Sequence, residues 1–163
     1  MAITPLFRVI PLILLLFSGS ILAHESVGVR AFESDLCTGY REGPSDRPML
    51  WADCCVVHDL AMWAGGTSRA RDLADDALFS CVRDKSGSVY EARLIWLGVR
   101  IGKLSPVKIP GKQRGNAWGD DVRNTRLNDV EIELLRESLQ KDSKLPERAI
   151  DQLMMKLNRE NRS

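Results

Sequence analysis

The chain has 163 residues, room for one domain with a modest core, and its 23 lysines and arginines against 22 aspartates and glutamates give a formal net charge of +1. So balanced a chain has no net field to recruit nucleic acid or an anionic membrane. Neither a polybasic nucleic-acid binder nor an acidic solvating tail fits.

In chain order, Met1 to Ala23 carries one charge at Arg8, then the apolar run Val9 to Phe17, then Ser18-Gly-Ser and an end at Ile21-Leu-Ala23. That order is a secretory signal peptide's, and the apolar run is short for a membrane span. The expectation is cleavage after Ala23 and a secreted or periplasmic protein. Ile21 is bulkier than the usual residue before such a cut, so the alternative is an uncleaved membrane anchor. Losing Arg8 leaves basic and acidic residues equal. The cysteines, at 37, 54, 55 and 81, then sit in an oxidising compartment, where an even count points to disulfides. Side chains of adjacent helical residues diverge by about 100°, so Cys54 and Cys55 do not bond each other and two of the three pairings remain.

Residues 24–35 are polar and read as irregular. Cys37 to Pro48 contains Gly39, Gly43, Pro44 and Pro48 and reads as a structured loop able to turn several carbonyls toward one point. A first helix over about 50–63 puts Trp51, Cys54, Cys55, His58 and Met62 on one face, with Asp59 at its edge. Gly65-Gly66 stops it, and Thr67 caps a second helix over about 68–84. There Leu73, Ala74, Ala77, Leu78, Cys81 and Val82 form the apolar face, Asp72 and Asp76 point outward, and Asp75 lies on the boundary. Two helices joined by so short a turn are expected to pack as an antiparallel pair.

Ser88-Val-Tyr-Glu91 reads as a capping box opening a third helix with Tyr90, Leu94, Leu97 and Ile101 as its apolar stripe. Residues 102–124, rich in glycine and proline, read as a loop. Helices over about 127–141 and 146–158, the latter started by Pro146, read as a surface hairpin with thin apolar stripes. The expected organisation is a signal peptide (1–23), an all-α helical domain (24–104), and a loop with a C-terminal helical hairpin (105–163).

Cys54-Cys55-x-x-His58-Asp59 resembles the active-site helix of the secreted phospholipases A2, and Asp75-x-Ala77-x-x-x-Cys81 resembles that family's second long helix. With the loop from Cys37, the resemblance covers residues 36–81. Trp63-x-Gly-Gly-Thr67 looks more like bacterial exported proteins of this type than like venom or pancreatic enzymes. The resemblance implies a disulfide-linked antiparallel helix pair of phospholipase A2 type with additional C-terminal helices. It implies Cys37–Cys55 and Cys54–Cys81 bonds, and calcium-dependent hydrolysis of a glycerophospholipid ester at a membrane surface. His58 would be the general base and Asp75 the acceptor that fixes its tautomer. Asp59 would hold Ca²⁺ with the backbone carbonyls of Leu36, Thr38 and Tyr40, an all-oxygen set suited to a hard cation.

Two departures stand out. Met62 replaces the family's tyrosine that bonds the active-site aspartate, and the Cys37–Cys55 stretch is longer than the family's and poorer in glycine. They favour a rival, a non-catalytic exported protein of the same fold that binds lipid, calcium or a partner protein. Retention of His58 and Asp59 favours the enzyme. A zinc cluster of Cys54, Cys55, His58 and Asp59 is disfavoured, since adjacent cysteines share a tetrahedral site poorly. Copper at an amino-terminal His24 lacks a second imidazole. Trp51, Trp63, Trp96 and Trp118 either rim a lipid interface or pack in the core. Nothing in the sequence specifies an oligomeric state.

Overall fold

The computed structural model describes residues 28–103, 115–119, 124–141 and 145–162. The expected signal segment, His24 and much of the loop after the third helix lie outside them. The described residues are all-helical: α1 (Ala52–Ala64), α2 (Ser68–Ser86), α3 (Val89–Gly102), a 3-10 turn (Asn116–Trp118), α4 (Asp129–Gln140) and α5 (Glu147–Arg162), with no strand among them. No helix among them is long and apolar enough to cross a membrane.

Local chemistry sets the boundaries. Gly65 leaves α1 with φ 85°, in the left-handed region where a side chain is strained, and a Cβ there would also lie 3.1 Å from the Gly115 backbone. Thr67 accepts from the Ala70 amide to cap α2, and Gly87 closes α2 in the left-handed conformation. Ser88 caps α3 by accepting from the Glu91 amide, but the expected reciprocal half is not made. The Glu91 carboxylate instead accepts from Tyr40 Oη at 2.7 Å and from Arg41 Nη2 at 2.6 Å, tying α3 to the loop before α1. The complete capping box is at α4, where Asn128 and Glu131 satisfy each other's amides.

Two disulfides fix the region around α1. Cys37–Cys55 ties the loop to α1, and Cys54–Cys81 ties α1 to α2, with Cα–Cα distances of 5.1 and 5.8 Å. The loop is further held by Trp51, whose amide donates to Glu42 O and whose indole donates to Arg41 O.

Helix α1 lies between two apolar cores. On one side Trp51, Cys54 and Cys55 meet Leu78 and Val82 of α2 and Ala92 and Ile95 of α3. On the other, Leu60, Trp63 and Ala64 meet Trp118, α4 through Ile132, Leu135 and Leu139, and α5 through Ile150, Leu153, Met154 and Leu157. The Trp118 indole donates to Ala64 O, and the Trp63 indole to Arg30 O. The C-terminal helices, thin-striped in sequence, thus bury their apolar faces in the larger core.

Helix α3 also differs from expectation. Its buried residues are Ala92 and Ile95, while the expected stripe of Tyr90, Leu94, Leu97 and Ile101 is exposed by 70, 36, 41 and 65 %. Ala92 and Ile95 are the α3 residues that pack with Leu78 and Val82 of α2, and the larger side chains of the stripe are left facing out. Trp51, Trp63 and Trp118 are buried, which settles them as packing residues rather than a lipid rim.

Candidate functional site

His58 projects from the middle of α1 between the two cores, and its side chain keeps 10 % of its surface exposed. Its Nε2 lies 2.9 Å from Oδ1 of Asp75, which reaches it from α2 and has no exposed surface. An ionised carboxylate only accepts, so in the neutral ring Nε2 carries the hydrogen and Nδ1 keeps its lone pair. Nδ1 faces Asp59, with Oδ1 of that residue 3.9 Å away, beyond hydrogen-bond range. Burial disfavours the imidazolium, but the carboxylates of Asp59 and Asp75 outweigh it and raise His58 above its ordinary 6.5.

Asp75 is a fully buried acid. Desolvation alone would raise its pKa, yet His58 and Lys103 hold it below the ordinary 3.8. Its second oxygen, Oδ2, faces α3: Arg100 Nε lies 3.1 Å away and Lys103 Nζ is in direct contact. These are ion pairs; neither Oδ2 nor Arg100 Nε meets hydrogen-bond geometry. The same two cations extend to Asp72 and Asp76 on the outer edge of α2, so α2 and α3 are joined by a network of three acids and two bases. Met62, in the tyrosine position of the resemblance, lines the cleft without a polar group to offer, and the aspartate is held from α3 instead.

A cleft of about 370 Å³ opens in front of the histidine. The loop contributes Leu36, Thr38 and Tyr40, α1 contributes His58, Asp59 and Met62, and α3 contributes Leu94, Ile95, Gly98, Val99 and Gly102. Gly98 and Gly102 are one turn apart, and a Cβ on either would meet nothing within 4 Å, so their lack of side chains keeps the α3 wall open. The expected catalytic and cation-binding residues, His58, Asp75, Asp59, Leu36, Thr38 and Tyr40, therefore all line one cavity.

Beside His58 Nδ1, the partner shown at Asp59 is an oxygen. Asp59 Oδ2 accepts from Ser34 Oγ at 2.6 Å, and Ser34 in turn accepts from the Leu36 amide. Leu36 has φ 68°, the one non-glycine residue with positive φ among the described residues. The left-handed conformation costs an L-residue on the order of 1–2 kcal/mol, and such strain gathers at functional loops. The Leu36 carbonyl also accepts from the Thr38 amide at 3.1 Å. No group of three or more acidic, histidine or cysteine side chains is placed to hold a metal ion among the described residues, so a cation here would depend on Asp59 and backbone carbonyls. By donor type that set fits calcium rather than zinc.

Three contributors escaped the sequence reading. Ser34 lies in a stretch with no periodic signal. Arg100 and Lys103, by contrast, stand three apart at the C-terminal end of α3, the latter as its cap, matching the three-and-four spacing of Asp72, Asp75 and Asp76 on α2; that complementary spacing was the available signal. No family model, curated protein or solved structure matches this chain.

Proposed function

We propose that the protein is an exported, calcium-dependent hydrolase of phospholipase A2 type that cleaves an ester bond of glycerophospholipids at a membrane surface. The observation that carries this reading is the 2.9 Å contact from His58 Nε2 to the fully buried Asp75, with Nδ1 turned toward Asp59 and both His58 and Asp59 lining an open cleft. A histidine needing only burial would satisfy itself without an ionised acid behind it and a second acid in front.

In this mechanism, His58 Nδ1 takes a proton from a water positioned in the cleft as the water adds to the ester carbonyl, and later delivers it to the leaving alkoxide. Asp75 keeps the tautomer that exposes Nδ1 and stabilises the imidazolium. Calcium, held by Asp59 and the carbonyls of Leu36, Thr38 and Tyr40, would supply positive charge for the developing oxyanion. Leu94, Ile95 and Val99 give the apolar wall for an acyl chain.

The exposed α3 stripe supports a membrane as the place of work. Leu94 lines the cleft and also belongs to the Tyr90–Leu94–Leu97–Ile101 stripe, so the apolar surface is continuous with the opening. Tyr90 and Ile101 stand proud of the surface, which suits a lipid plane better than a groove-seeking partner.

The test is fatty-acid release from mixed-chain phosphatidylcholine, with calcium and with chelator. Release that needs calcium and vanishes in the His58→Gln protein is expected. No release above that control for any head group would leave the non-catalytic reading in its place.

A further inference from the structure

The cleft described above uses one side of His58; the other side is hollow as well. A second cleft of about 490 Å³ lies between α1, α2 and α5, in the size range of about 300–1,000 Å³ typical of small-ligand sites. It exists because these helices face each other across small side chains. Ala61 on α1 and Ala74 and Ala77 on α2 leave space that Leu153 of α5 does not fill. Val57, beside them, keeps 39 % of its surface exposed as a result.

Besides Asp53 and His58 of α1, the polar groups of the lining come from α5. Arg148, Gln152 and Lys156 recur every four residues on α5 and line the same side of the cleft. The one carboxylate in the lining, Asp53, is occupied by Lys85 Nζ at 2.7 Å. Lys156 is turned inward and donates to Ala70 O at 3.2 Å. Arg148 is exposed, and no carboxylate among the described residues engages it. An apolar trough with one available cation at its edge matches a chain-like apolar ligand with an anionic head, and an uncharged analogue gains nothing from that edge.

We propose that this second cleft binds a single long-chain carboxylate, the acyl chain against Val57, Ala61, Ala77 and Leu153 and the head group on Arg148. The site stands whether or not the chain hydrolyses lipid. If it does, the ligand is one of the two products, and His58 and Leu78, which line both clefts, form the partition between product and reaction centre.

The probe is hexadecanoate carrying a mid-chain diazirine, photolysed with the wild-type protein and mapped by peptide mass spectrometry, with the matching alcohol as the uncharged comparison. Saturable labelling is expected on α5 and on the Val57–Ala61 turn of α1. Ala77 is exposed, so Ala77→Trp fills the trough without overpacking the core, and it should abolish that labelling. Arg148→Glu should weaken carboxylate binding by about tenfold and leave the alcohol unchanged. Circular dichroism checks each variant, and if Ala77→Trp fails to fold, the Arg148→Glu comparison decides. The proposal is overturned by any of three results: no saturable labelling, labelling confined to α3 and residues 36–40, or carboxylate binding indifferent to Arg148→Glu. Loss of ester hydrolysis leaves it untouched, since the probe is not an ester.

Discussion

Arg100 of α3 places its Nε 3.1 Å from Oδ2 of Asp75, the oxygen that His58 does not use. The buried carboxylate is thus divided between the histidine on α1 and a cationic brace from α3, which Lys103 completes. A buried charge that loses a partner is costly, but here each cation can cover in part for the other.

The first prediction concerns that brace. Lys103→Met and Arg100→Met should each lower kcat by about tenfold with KM nearly unchanged, because they loosen Asp75 without touching the lipid. Lys103→Arg should restore most of kcat, since it returns a charge to Oδ2. Steady-state kinetics on a monomeric short-chain substrate separates this from a folding defect, which would lower the active fraction and leave kcat per active site intact.

The second is the pH dependence of stability, with calcium chelated. His58 has a raised folded pKa, so its contribution is fully present below its unfolded value near 6.5 and is lost as pH rises through the folded pKa. Asp75 has a depressed folded pKa, so its contribution is present above its unfolded value near 3.8 and is lost as pH falls through the folded pKa. The gap in unfolding free energy between wild type and His58→Gln should therefore be widest between those two values and narrow on the alkaline side. Urea titrations across pH 4 to 9 measure it, and a gap that widens above pH 7 contradicts the assignment.

The third separates the two disulfides. Cys37–Cys55 closes 18 residues and Cys54–Cys81 closes 27, so chain entropy gives each about 3 kcal/mol with the longer loop slightly ahead. Their functional effects should divide differently. Replacing Cys37 and Cys55 by alanine frees the loop with the carbonyl donors and should weaken calcium binding most. Replacing Cys54 and Cys81 loosens α1 against α2 and should weaken the His58–Asp75 contact, read as lost activity at saturating calcium.

Much of this site was legible in the sequence because it rests on local rules. Periodicity put His58 and the two cysteines on one face of α1, and glycine and threonine set the turn into α2. The α3 stripe misled for a physical reason. A 3.6-residue apolar pattern says that one face is apolar, not that the fold covers it, and here Ala92 and Ile95 made the contact while the larger side chains stayed outside. The C-terminal helices misled in the opposite direction: few apolar residues per turn sufficed because α1 offered Leu60, Trp63 and Ala64 on its second face. Asp75 read as a boundary residue because periodicity cannot see Arg100 and Lys103 arriving from another helix.

The fourth prediction tests the α3 face. Leu97→Asp and Ile101→Glu change exposed side chains and should alter stability by no more than about 0.5 kcal/mol. Each should nevertheless reduce hydrolysis of vesicles by about tenfold or more while leaving a monomeric short-chain ester unaffected. Two of the charges beside the stripe are spent internally, Glu91 on Arg41 and Arg100 on the aspartates of α2, which leaves Arg93 as an exposed cation there. Binding to zwitterionic vesicles should thus persist in high salt, and sedimentation that collapses with salt would assign the contact to charge instead.

The last prediction concerns Ser34, whose hydroxyl donates to Asp59 at 2.6 Å while accepting from the amide of Leu36. It occupies one oxygen of the carboxylate, leaving the other for a cation, and it holds the strained start of the loop against α1. Removing such an outer-shell partner commonly costs about 10–100-fold in metal affinity. Ser34→Ala should therefore weaken calcium binding by that factor, as read by calorimetry, and move the calcium needed for half-maximal hydrolysis in parallel. Calcium affinity unchanged by Ser34→Ala but abolished by Asp59→Asn would keep the metal on Asp59 and remove the serine from its support. If neither substitution changes it, the cation sits elsewhere, and the charge that balances the oxyanion must come from another group lining the cleft, where Lys103 is the one lysine or arginine among the described residues.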